Sequence, residues 1–72
     1  MSKKIEKISN KLEEIREDLE ALAEECQETF DNRSERWQES EKGEECAEMI
    51  DALADAASSV QDAVDYLSDY AE

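Results

Sequence analysis

The feature that most constrains this chain is a strict heptad of apolar residues in its second half. Cys46, Ile50, Leu53, Ala57, Val60, Val64, Leu67 and Ala71 follow one another at alternating intervals of four and three. On an α-helix that spacing draws a single seam along one side, whereas a strand would scatter the same residues over both faces. A matching row, Ile5, Ile8, Leu12, Ile15, Leu19, Leu22 and Cys26, runs through the first half. Reversed against the second row, it pairs Cys26 with Cys46, Ile15 with Ala57 and Ile5 with Leu67, and each layer joins an a position to a d position. The pattern predicts an all-α fold: one domain over 1–72, an antiparallel two-helix hairpin with a coiled-coil-like seam. Its helices should cover 2–31 and 41–70, joined by a connection over 32–40.

Composition supports that class. The chain has no Pro, one Gly, four aromatic residues and 42% charged residues, which argues against a sheet or a disulfide-dense scaffold. At 72 residues a single core gives little net stability, so dimerisation into a four-helix bundle is expected. Two Cys without any His do not make a structural zinc site, and no metal or cofactor is expected. Cys26 and Cys46 fall in one layer near the turn, where a disulfide is conceivable. In a reducing cytosol they read as two small buried hydrophobes.

Local signals place the helix ends. Ser2 reads as the first N-cap. Asn32 and Glu35 have the spacing of a capping box, which suggests a short helical turn around 33–38 with Trp37 folded over the end of the seam. Ser40 reads as the N-cap of the second long helix, with Glu41, Glu44 and Glu45 favourable at its positive end. Gly43 lies inside that first turn, where Gly costs stability relative to Ala, so the backbone is expected to pass close to the connection there, against Trp37.

The net charge of −14 is unevenly spread. Residues 1–16 carry five Lys or Arg against three Glu, and residues 17–72 carry 19 acids against Arg33, Arg36 and Lys42. Such a field repels nucleic acid and anionic membrane and attracts basic surfaces. No apolar run suits a membrane span and no signal peptide follows Met1, so a cytoplasmic protein is expected. The antiparallel hairpin brings the basic start of the first helix beside Asp65, Asp69 and Glu72, which offsets an unfavourable helix-dipole charge at each.

Two rows on the second helix are candidate binding surfaces. Glu48, Asp55, Asp62 and Asp69 recur at seven-residue intervals on the outer f positions, flanked by Asp51 and Asp65 at b. Neighbours three or four apart on a helix lie roughly 5–6 Å from each other, comparable with the charge spacing of a nucleic-acid strand. Met49, Ala56, Ala63 and Tyr70 form a flanking g row with Tyr66 nearby, a face suited to self-association or to a partner helix. Trp37 with Arg33 and Arg36 could stack on a nucleotide, but the surrounding acids would repel phosphate. With no His, glycine-rich loop or nucleophile motif, the chain does not read as an enzyme.

The segment Asp31-Asn32-Arg33-Ser34-Glu35-Arg36-Trp37-Gln38-Glu39-Ser40-Glu41-Lys42-Gly43-Glu44, with Ile50-Asp51-Ala52-Leu53 after it, resembles a stretch in small acidic helical proteins of bacteriophages and prophages. The resemblance covers about a third of the chain and carries over no catalytic residue. It implies a phage or mobile-element origin, a setting in which small acidic proteins often block host defence nucleases. The expected function is an acidic protein that binds the basic groove of a host nuclease or defence enzyme and inhibits it by nucleic-acid mimicry. The alternative is an assembly module that works through helix–helix self-association or docking to another phage protein. Neither reading involves direct nucleic-acid or membrane binding.

Overall fold

The computed structural model describes the backbone of residues 2–70 and the side chains of residues 3–70. The side chain of Ser2, expected as a cap, the last seam residue Ala71 and the terminal Glu72 lie outside them. Three helices follow in order: α1 over Ser2–Asp31, a short α2 over Glu35–Gln38, and α3 over Glu41–Ser68. Arg16 borders the same hollow as Ala57, and Cys26 the same hollow as Cys46, so α1 and α3 run antiparallel. The result is a rod of 54 × 14 × 11 Å.

The turn end is held by short-range contacts. Ser34 caps α2 by accepting from the Trp37 amide at 3.2 Å, so Ser34 rather than Asn32 takes the capping role. A β-region backbone at the cap leaves the serine oxygen facing the unbonded amides of the first turn. Ser40 caps α3 as expected: its Oγ accepts from the Gly43 amide at 3.3 Å and donates to the Trp37 carbonyl. Gly43 is buried with ordinary helical φ, so it is required for space rather than for conformation. A Cβ there would overlap the Trp37 and Gln38 carbonyl oxygens and stand 2.6 Å from the Gln38 carbonyl carbon. Phe30 meets Trp37 edge-on with ring centroids 6.1 Å apart. The Gln38 side-chain amide donates to the Phe30 carbonyl at 2.8 Å, which also accepts from the Arg33 amide, and to the Arg33 carbonyl at 3.2 Å, tying α2 to the end of α1.

The inward face of α3 is the seam read from sequence. Ala57 and Val64 are buried, and Cys46, Ile50, Leu53, Val60 and Leu67 are half-buried. On α1 the expectation needs correction. Ile5, Leu12, Leu19 and Cys26 do turn inward, but Ile8, Ile15 and Leu22 are 53, 47 and 47% exposed. The row that completes the inward face is Ser9, Arg16, Ala23 and Phe30, one position further along. Arg16 and Ala57 border one hollow, so this row lies level with the middle of α3. A central row on a helix has two possible flanking rows, and the turn selects between them. Phe30 is in the second, and its contact with Trp37 rolls α1 so that the small Ala23 and Ser9 face α3.

The last helix ends at Ser68, two residues before the expected position. The Ser68 hydroxyl bonds the Asp65 carbonyl at 2.6 Å, a local alternative to continuing the ladder, and Asp69 opposes the dipole at that end. Among the described residues no helix is long and apolar enough to cross a membrane.

Candidate functional site

The roll of α1 creates a surface that neither helix has alone. Ile8, Ile15 and Leu22 stand a heptad apart along one edge of the hairpin. Leu22 shares a hollow with Met49, so the α1 row lies beside the Met49 row of α3. Met49 is 48% exposed, Ala56 and Ala63 are half-buried, and Tyr66 and Tyr70 stand out with rings 6.4 Å apart. At about 100° per residue, Tyr66 falls between the Ala63 and Tyr70 row and the acidic f row. The six exposed large hydrophobic residues among those described are Ile8, Ile15, Leu22, Met49, Tyr66 and Tyr70, and all fall on this one side. Scattered exposed apolar residues are ordinary, but six on one face of so thin a rod make a patch. Sequence reasoning found the α3 half and placed the α1 half in the internal seam.

The opposite edge is polar. Arg16 pairs with Glu20 at 2.8 Å, and both border a hollow with Ser58 and Gln61. The Arg16 Nε is out of water without a hydrogen-bond partner. Its neighbour Glu20 already takes the guanidinium's outer nitrogen, so this hollow offers little to an anion.

Glu48, Asp51, Asp55, Asp62, Asp65 and Asp69 are all exposed along the outer side of α3. Gln61 donates to Asp65 at 2.9 Å, and none of the six joins an ion pair among the described residues. The stripe is a row of solvated carboxylates. At the turn, the Arg33 guanidinium lies over the Trp37 ring at 4.8 Å and Phe30 meets that ring edge-on. Cys26 and Cys46 are free, half-buried thiols bordering one hollow. No family model, curated protein or solved structure matches this chain.

Proposed function

We propose that the protein is a non-catalytic association module that works through the face of Ile8, Ile15, Leu22, Met49, Ala56 and Ala63. Docking there turns two hairpins into a four-helix bundle. The observation that carries this reading is the one-sided placement of the large exposed hydrophobic residues among those described, where the buried hydrophobic core is Ala57 and Val64. Burial of apolar surface is the main favourable term in association, and small residues at Ala56 and Ala63 let another helix come close. The test is solution mass by light scattering at low and high salt, for the native chain and for Ala56→Glu and Ala63→Glu. A salt-tolerant assembly that either substitution dissolves is the expected result. An assembly indifferent to both substitutions would sink the reading.

A second reading concerns the carboxylates of Glu48, Asp51, Asp55, Asp62, Asp65 and Asp69 along α3 and its C-cap, none of which joins an ion pair among the described residues. Kept outward by docking on the apolar face, they would present a rod of negative charge to a basic groove. The target would be a host nuclease or defence enzyme in the cytoplasm, the setting implied by the resemblance to phage proteins. That binding should weaken with rising salt. Replacing Asp55, Asp62 and Asp69 by Lys should abolish inhibition of such a nuclease, and unchanged inhibition would eliminate the mimicry.

A further inference from the structure

We infer that the partner on the apolar face is a second copy of this chain, stacked so that α1 lies antiparallel on α1 and α3 antiparallel on α3, about a two-fold axis passing close to Ile15 and Ser59. This inference rests on the docking reading above and gives it a partner and a register.

Charge along the exposed edge of α1 favours this stacking. The exposed edge of α1 alternates Ile8, Ile15 and Leu22 with Lys4, Lys11, Asp18 and Glu25, at intervals of four and three. Reversed upon a copy of itself about Ile15, the row sets Ile8 against the partner's Leu22 and Ile15 against the partner's Ile15. The same reversal brings Lys11 to within one residue, about 1.5 Å along the axis, of the partner's Asp18, and Lys4 equally close to the partner's Glu25. Every flanking pair is then oppositely charged, and each occurs twice by symmetry. A parallel stacking would place Lys4 on Lys4 and Lys11 on Lys11. Lys11 and Asp18 lie seven positions, about 10 Å, apart on their own helix, so the complementarity has no use within one chain.

The edge of α3 repeats the pattern independently. Ala52, Ser59 and Tyr66 interleave with Met49, Ala56, Ala63 and Tyr70, again at intervals of three and four, and without a charge among them. Reversed about Ser59, Ala52 meets the partner's Tyr66, while Met49 and Ala56 come within one residue, about 1.5 Å along the axis, of the partner's Tyr70 and Ala63. The long side chains sit at both ends and the small ones at the middle, where the two helices come closest.

The two centres also coincide. Arg16 stands beside Ala57 in the hairpin, so Ile15 and Ser59 lie within about two residues, or roughly 3 Å, of one level along the rod. One axis can therefore serve both helices. Two rows that were unrelated in sequence would share a centre only by accident, and an isologous dimer requires that they do.

Cross-linking and charge exchange test the register on the full chain. In a chain carrying Cys26→Ala and Cys46→Ala, shown by circular dichroism to stay helical, Ile15→Cys should give a covalent dimer on mild oxidation. Ile8→Cys alone should not, but mixed with Leu22→Cys it should. With the native cysteines kept, Lys11→Glu should weaken the dimer about tenfold, and Lys11→Glu with Asp18→Lys in the same chain should restore it. Ready self-linking of Ile8→Cys, or a double variant no tighter than Lys11→Glu, would overturn the antiparallel register while leaving docking intact. A monomer at every concentration would overturn the second copy as partner and leave the face to another helix. A dimer indifferent to Ala56→Glu would instead remove docking through this face altogether.

Discussion

Residues 30–43 and the long shaft of the hairpin are held together in different ways. In the turn, an aromatic pair, two serine caps, a glutamine amide on the Phe30 and Arg33 carbonyls and a backbone contact at Gly43 act within fourteen residues. Among the described residues of the shaft, only Ala57 and Val64 are buried, and one ion pair, Arg16 with Glu20, joins side chains. The turn fixes how the helices start relative to each other. The shaft keeps that orientation with little redundancy, and apolar surface remains outside. A hairpin built this way is geometrically defined but energetically thin.

Substitutions can break that contrast. Gly43→Ala should cost the most, about 2–3 kcal/mol, because the added methyl meets backbone carbonyls that no side-chain rotation can move. The sign is opposite to helix propensity, which favours Ala by about 1 kcal/mol. A thermal melt followed by circular dichroism should show the midpoint falling by on the order of 10 °C, and a rise would show that the close approach does not exist. In the shaft, Val64→Ala should cost about 1–2 kcal/mol in urea unfolding, through two lost methyl groups and the space they leave. Ser40→Ala should cost about 1 kcal/mol, the usual loss for a cap. Amide exchange of Gly43 should accelerate with it. Arg16→Gln should change stability by no more than about 0.5 kcal/mol, since its partner Glu20 is more than half exposed. A large loss there would mean that the polar edge of the shaft contributes more than its one ion pair suggests.

Sequence reading succeeded where the chemistry is local. Ser40 and Gly43 are legible because a cap and a glycine in a first turn act on atoms within a few residues. The α3 seam is legible because its outer rows are either acidic or small, so one face stands out. On α1 the same logic meets two competitors. Ile8, Ile15 and Leu22 are the more apolar flank and look like core, and only the placement of Phe30 against Trp37 turns Ser9, Arg16 and Ala23 inward instead. That decision is tertiary and has no periodic signature. The choice of Ser34 over Asn32 as cap is a similar case, since both offer a side-chain oxygen at a plausible spacing. Of the candidate surface, the α3 half was visible and the α1 half was hidden by its own hydrophobicity.

The concentration of contacts in the turn also sets the order of events when the chain folds. Closing residues 30–43 costs little loop entropy, and every later layer of the hairpin adds pairs already brought near by the one before. Folding should proceed as a zipper from the Trp37 end, with φ-values highest at Ser40 and Phe30 and falling towards Ile5 and Leu67. Unfolding should run the other way, with the open end fraying first.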